Sequence, residues 1–303
     1  MNERQKALSI LCLGVSTMYG LYWLYNLFLA RLLPIPSGFG APIGLVLIYV
    51  VGYGLFLVIT ARSRSTRLPS QRQSRRLSGH GILLCILLQF TALAVFLALN
   101  IVMTILARLS GSPQPEEASM SMAPLDAVSL FLLTPVMEEL VFRRAFAETL
   151  LPHGERFYVF SSAFSFAILH MIPFARSGAP LNGLPQLIYT FLLGLIWASV
   201  VVKTGDLRLS ILLHILSNVC GQLMPLLAGI AAPLALVYLF FVMGAGLLGV
   251  LLLNHERRSG GGTIDGSTGI LRRDVLRDSF GSVGLWLQIA LVIVVVLIRA
   301  GGG

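Results

Sequence analysis

The sequence has few charged residues. Asp, Glu, Lys and Arg make up only 12% of its 303 residues, whereas a soluble domain carries roughly 25%. Hydrophobic residues make up 56%. Such a chain would expose far too much apolar surface in water. The composition therefore predicts an all-α fold: a polytopic bundle of transmembrane helices, in an integral membrane protein.

Acidic residues are the scarcer of the two charged kinds. The chain has 13 Asp and Glu against 22 Lys and Arg, a net charge of +9. The arginines lie in short loops between apolar runs, where basic residues set membrane topology and meet anionic lipid headgroups. The excess positive charge therefore predicts contact with an anionic bilayer surface, and no nucleic-acid partner is expected.

Several common site signatures are missing. The three cysteines lie inside apolar runs without metal-ligand spacing, so we expect small buried hydrophobes. The metalloprotease sequence H-E-x-x-H does not occur. No G-x-S-G stands in an apolar helix, and Asp206 lacks the second glycine of a G-x-G-D aspartyl site. No cleavable signal peptide is evident after Met1.

Apolar stretches of about 20 residues, the length that spans a bilayer, predict eight or nine membrane helices. The nine candidates are residues 8–30, 41–60, 81–107, 125–149, 157–172, 184–203, 207–225, 231–253 and 283–299. The ninth, 283–299, is the one with the weakest expected connection to the other helices. We divide the chain into N-terminal helices (1–124), a central core (125–225) and C-terminal helices (226–303).

Two loops carry clusters of arginine and belong on the cytoplasmic side by the positive-inside rule. The loop with Glu116 and Glu117 then lies outside, and the N-terminus inside. A bacterial cytoplasmic membrane is the expected location. The arginines are Arg62, Arg64, Arg67, Arg72, Arg75 and Arg76 in the first loop, and Arg257, Arg258, Arg272, Arg273 and Arg277 in the second.

One apolar stretch contains four charged residues, Glu138, Glu139, Arg143 and Arg144. Each costs about 2.5–3.5 kcal/mol at the bilayer centre on insertion scales, so a functional role is the default interpretation. Glu139 and Arg143 share a helix face and can pair, whereas Glu138 has no partner at that spacing. An unpaired carboxylate in low dielectric readily takes a proton, which suits a general base. A structural ion-pair cluster is the alternative.

Two later helices also carry polar residues that lipid does not favour. His170 follows Phe166 by four residues, and His214 precedes Asn218 by four, so each pair shares a helix face. A lone helical His is more often a hydrogen-bonded core residue. His214 and Asn218 could equally form interhelical hydrogen bonds or supply an amide donor to an oxyanion. Pro135 should kink its helix by leaving the Phe131 carbonyl without a donor.

The three patterns E-E-x-x-x-R, F-x-x-x-H and H-x-x-x-N, in that order, make residues 125–220 resemble the CPBP family of intramembrane proteases. That family includes type II CAAX prenyl endopeptidases and the bacteriocin-processing Abi proteins. The resemblance implies an endopeptidase in which Glu138 activates water, Glu139 and Arg143 assist, and His170 orients the water. His214 and Asn218 would stabilise the oxyanion.

The resemblance leaves the metal open. If zinc is present, Glu138, His170 and His214 would hold it; a glutamate protease without metal is the other form. A non-catalytic scaffold or bacteriocin immunity protein is the main alternative function, and an ion-relay transporter a weaker one because the other helices lack a polar path. The expected partner is a peptide or membrane-protein substrate, prenylated or not.

Overall fold

The structure is a computed structural model that describes residues 1–33, 35–36, 38–63, 76–109, 124–174, 180–259 and 270–301. These residues form helices and turns and contain no β-strand, which confirms the all-α class. The helices are α1 (Glu3–Leu32), α2 (Gly40–Thr60), α3 (Gly79–Leu109), α4 (residues 124–150), α5 (Glu155–Leu169), α6 (Leu184–Thr204), α7 (Leu207–Ile230), α8 (Ala232–Arg258), α9 (Arg273–Phe280) and α10 (Val283–Gly301).

Eight of these helices are long and apolar enough to cross a membrane, with α5 extended to Phe174 by the turn that follows it. The chain is therefore an integral membrane protein. Helix α9 is too short. Helix α4 has the bounds of the predicted stretch 125–149. It is not counted among the eight because its carboxylates and arginines make it too polar.

Helices α1 and α10 run parallel, which bears on the number of crossings. Ser9 near the start of α1 hydrogen-bonds Ser282 just before α10, at 2.9 Å between hydroxyl oxygens. Near the other ends, the Arg299 guanidinium lies over the Trp23 ring, 5.2 Å from its centroid. First and last crossings that run the same way require an odd total. The eight apolar helices of the described ranges reach nine when α4 also crosses.

The site region lies where the bundle is most buried, around α4, α5 and α6. Gly194 on α6 permits the close contact, because a Cβ there would lie 2.9 Å from the Ala163 Cα on α5. Gly194 therefore allows α5 and α6 to pack closely. Asp206 caps the start of α7 by accepting the Arg208 backbone N–H at 2.8 Å.

The two ends of the chain are joined on one face of the bundle. Asp278 on α9 accepts hydrogen bonds from Asn2 Nδ2 at 3.0 Å and from Arg4 Nη1 at 3.1 Å. Burial alone would raise the pKa of Asp278, but these hydrogen bonds and the neighbouring Arg277 lower that pKa below its ordinary value. Helix α9 thereby ties the N-terminus to the start of α10.

Some sequence predictions fall outside the described residues. These are most of the first arginine-rich loop (residues 64–75), the loop with Glu116 and Glu117, and residues 260–269. The three-part division of the chain and the side of the membrane on which the N-terminus lies stay predictions. Cys12 and Cys85 are buried and Cys220 is partly buried, and none of the three forms a disulfide, as expected for small apolar residues.

Candidate active site

Helix α4 is irregular on both sides of Glu138. Wider π-helical turns occupy Ser129–Leu133 and Glu139–Ala145, and an α-helical segment, Thr134–Glu138, lies between them. Such turns occur frequently at functional sites. In the first, the Thr134 N–H donates to the Ser129 carbonyl, five residues back. The extra residue in this turn rotates the following residues about the helix axis, relative to a regular α-helix. It thereby sets the direction of the Glu138 side chain.

The π register also corrects the prediction about Pro135. Because Thr134 bonds five residues back, Pro135 stands opposite the Leu130 carbonyl and not that of Phe131. Pro135 has no N–H to offer. The Asn218 side chain replaces it, since Nδ2 donates to the Leu130 carbonyl oxygen at 2.9 Å. An amide from α7 thus completes the hydrogen bonding of α4.

Glu138 lies at the meeting point of four helices and is only 6% exposed. Its Oε1 lies 3.8 Å from His170 Nε2, at the end of α5, and its Oε2 lies 3.6 Å from His214 Nε2 on α7. The Tyr19 hydroxyl on α1 donates to Oε1 at 3.3 Å. The predicted base and both predicted histidines therefore come together in space.

The second nitrogen of each ring identifies the tautomer. His170 Nδ1 lies 2.9 Å from the Phe166 carbonyl oxygen, which can only accept, so Nδ1 carries a proton. His214 Nδ1 lies 3.1 Å from Glu139 Oε1. With Nδ1 protonated, each neutral ring presents the Nε2 lone pair towards Glu138. Phe166 packs under His170 at 4.3 Å between ring centroids, as predicted.

Glu139 and Arg143 form the predicted ion pair, with Nε 3.5 Å from Oε2 and both side chains fully buried. Arg143 Nη1 donates to Ser162 at 3.0 Å, and the guanidinium lies over the Phe166 ring at 4.9 Å. Ser210 donates to Glu139. The pair therefore acts as a buried support, from which Glu139 reaches the His214 ring.

Aromatic rings hold His214 in place from the other side. Trp197 on α6 stacks on the imidazole at 4.0 Å between centroids with an interplanar angle of 21°. Phe166 meets the same ring edge-on at 5.9 Å. With Glu139 on Nδ1, the ring has little freedom to rotate. His214 is consequently a rigid element of the site.

Asn218 stands apart from this cluster. It lies one turn beyond His214 on α7 and is turned towards Leu130. Within the described part of the chain, its hydrogen bond is to that carbonyl and not to Glu138 or His170. The structure thus joins five of the six predicted site residues into one network and places the sixth beside it.

The sequence left a metal open and gave Glu138, His170 and His214 as the ligands if zinc is present. Glu138 and the two histidines face one another, but no three His, Cys, Asp or Glu side chains among the described residues are arranged to hold a metal ion. The oxygen-to-nitrogen separations of 3.6 and 3.8 Å exceed the roughly 3.3 Å edge of a tetrahedral zinc site with 2.0–2.1 Å bonds.

Two contacting residues were missed by sequence reasoning. Ser210 precedes His214 by four residues, so the shared face of α7 was a signal that could have been used. Tyr19 had no such signal, because it lies in an apolar helix more than a hundred residues from Glu138. Only the packing of α1 against α4 brings it into the site.

Residues 120–220, about a third of the chain, match the family model "Type II CAAX prenyl endopeptidase Rce1-like". The segment that carries the site is therefore similar to that family. The match supports a CAAX-type intramembrane protease as the kind of protein. No curated protein and no solved structure matches the chain.

Proposed function

We propose that this protein is a membrane-embedded endopeptidase in which Glu138 activates the water that attacks a peptide bond. The observation that carries the proposal is the convergence of the buried Glu138 carboxylate with His170 Nε2 and His214 Nε2 at 3.8 and 3.6 Å. A carboxylate and two imidazole lone pairs around one point can orient a water molecule and receive its proton.

In the proposed reaction the water oxygen attacks the carbonyl carbon of the scissile bond while Glu138 takes one water proton. The carbonyl oxygen becomes an oxyanion. Glu138 then returns the proton to the leaving amide nitrogen, and the C–N bond breaks. His170 keeps its Nε2 towards the water because Nδ1 is bound to the Phe166 carbonyl.

His214 and Asn218 are proposed to stabilise the oxyanion. Glu139 accepts from His214 Nδ1, so it can support the ring while Nε2 holds the proton that Glu138 took from the water and donates it in a hydrogen bond to the oxyanion. That proton then returns through Glu138 to the leaving nitrogen. The Asn218 amide has two N–H groups, of which one bonds Leu130 and the other remains available. Donors aimed at the developing charge are typically the largest contribution to such catalysis.

The test is to compare peptides from membranes that contain the wild type or Glu138→Ala, by mapping protein N- and C-termini. We expect one or more cleavage products to be lost in Glu138→Ala and in Glu138→Gln. Glu148→Gln is the matched control, because Glu148 lies on the same helix but pairs with Arg144 at 3.0 Å. It should retain cleavage.

An unchanged set of termini in folded Glu138→Ala would reject the endopeptidase. A biological phenotype retained by Glu138→Gln would then favour the alternative, a non-catalytic scaffold or immunity protein. The lost termini would also identify the substrate: a prenylated CAAX tail, a leader peptide or another membrane-protein segment.

A further inference from the structure

Tyr19 provides the shortest polar contact to Glu138 in the described residues. Its hydroxyl donates to Glu138 Oε1 at 3.3 Å, whereas the two imidazole nitrogens lie at 3.6 and 3.8 Å, beyond ordinary hydrogen-bond distance. Tyr19 lies on α1, outside the 120–220 segment that matches the family. Its contact with Glu138 is a feature of this chain's own fold.

Close packing against α2 fixes the backbone that carries Tyr19. Gly52 on α2 lies against Met18, the preceding residue, so closely that a Cβ on Gly52 would be 3.1 Å from the Met18 Cα. Tyr49, also on α2, shares a hydrogen bond with Thr134 at 2.7 Å. Thr134 is one helical turn before Glu138. Helices α1 and α2 thus each place a tyrosine hydroxyl on the same face of α4.

We propose that Tyr19 is a positioning residue that fixes the rotation of the Glu138 carboxylate. Its hydrogen bond holds Oε1 on the α1 side, which leaves Oε2 towards His214. A carboxylate that rotates freely would meet the two Nε2 atoms only part of the time. This inference rests on the proposed function, since it assigns Tyr19 a role through Glu138.

The test is Tyr19→Phe, which removes only the hydroxyl. With the substrate identified by terminus mapping, we expect kcat to fall about 10- to 100-fold, the effect of losing one hydrogen bond to a charged group. KM and the thermal unfolding midpoint should change little, because ring packing is retained. A merely structural hydroxyl would lower the unfolding midpoint and leave kcat per folded molecule unchanged.

Tyr25→Phe is the matched control. It removes a hydroxyl from the same helix, but that hydroxyl donates to the Gly40 carbonyl at 3.1 Å, away from Glu138. This variant should keep the wild-type kcat. A Tyr19→Phe enzyme as active as Tyr25→Phe would overturn the inference while leaving the endopeptidase proposal intact.

A second measurement does not depend on activity. The infrared difference spectrum between wild type and Glu138→Gln isolates the carboxyl stretch of Glu138. That band should move when the same difference is recorded in the Tyr19→Phe background, and stay in place in the Tyr25→Phe background. A band that does not respond to Tyr19→Phe would overturn the inference even if no peptide is ever cleaved.

Discussion

Glu138 and Glu139 are neighbours in the chain, but their side chains meet different partners. Glu139 is fully buried and held by Arg143, His214 and Ser210. Glu138 faces two imidazole lone pairs and one phenol. The two carboxylates therefore have different surroundings: Glu139 supports the site, and Glu138 is the one that transfers the proton in the proposed reaction.

This division predicts different costs for two isosteric changes. Glu139→Gln leaves the Arg143 charge buried without its carboxylate, which costs about 3–5 kcal/mol of stability. Glu138→Gln leaves the Arg143–Glu139 pair intact, so it should reduce stability much less. Reversible unfolding of the detergent-solubilised variants checks the difference. Equal losses of stability in the two variants would contradict the assignment of Glu139 as the structural partner.

At the scale of the helix, α4 departs from regular geometry and α7 compensates. The π turn at Ser129–Leu133 and the missing N–H of Pro135 leave the Leu130 carbonyl for Asn218 to satisfy. The Asn218 side chain accordingly joins the two helices close to Glu138. This joint also explains why Asn218 lies beside the network and not within it.

Asn218→Ala should cost about 1 kcal/mol of stability, since it leaves the partly buried Leu130 carbonyl without this donor. Pro135→Ala restores a backbone N–H at the position opposite Leu130. In that background Asn218→Ala should cost less, with a coupling of about 0.5 kcal/mol or more. A double-mutant cycle of unfolding free energies measures this coupling. Strictly additive effects would show that Asn218 and Pro135 do not serve the same carbonyl.

At the scale of the whole molecule, the parallel pair α1 and α10 closes the bundle. Asp278 joins the chain's two end regions through Asn2 and Arg4. This closure supports α1, and α1 carries Tyr19. The stability of one face of the bundle is therefore connected to the geometry around Glu138.

The lowered pKa of Asp278 makes that closure sensitive to acid. Its carboxylate contributes stability at pH values above its ordinary pKa of about 4. The contribution is lost as the pH falls through the lower pKa of the folded state. We expect Asp278→Asn to be less stable than wild type at pH 7, and this difference to shrink below about pH 4. Unfolding midpoints across this range test it; a difference that grows in acid would contradict it.

An odd number of crossings predicts that the two termini lie on opposite sides of the membrane. By the positive-inside rule the N-terminus should be cytoplasmic. Reporter fusions that are active on only one side, placed before Met1 and after Gly303, measure both positions. Two termini on the same side would contradict the parallel arrangement of α1 and α10.

The amino-acid sequence alone determined the fold class, the membrane helices and most of the candidate site residues, because each of these depends on residues close together in the chain. Apolar runs of sufficient length specified the membrane helices, and the i, i+4 spacing of Glu139 and Arg143 specified their pairing. Charged residues in an apolar helix indicated the candidate site, since burying a charge in a bilayer is costly and such residues are usually functional. The family resemblance followed from the same residues, and the family match confirmed it.

Only the tertiary structure decided how these residues meet. It brought Tyr19 to Glu138 and Ser210 to Glu139, placed Asn218 on the Leu130 carbonyl, and made α1 parallel to α10. Such contacts join helices far apart in the chain, and they depend on side-chain packing and on π turns that shift the register. Helical periodicity says which face a residue occupies, but the partner of that face is determined by how the whole bundle packs.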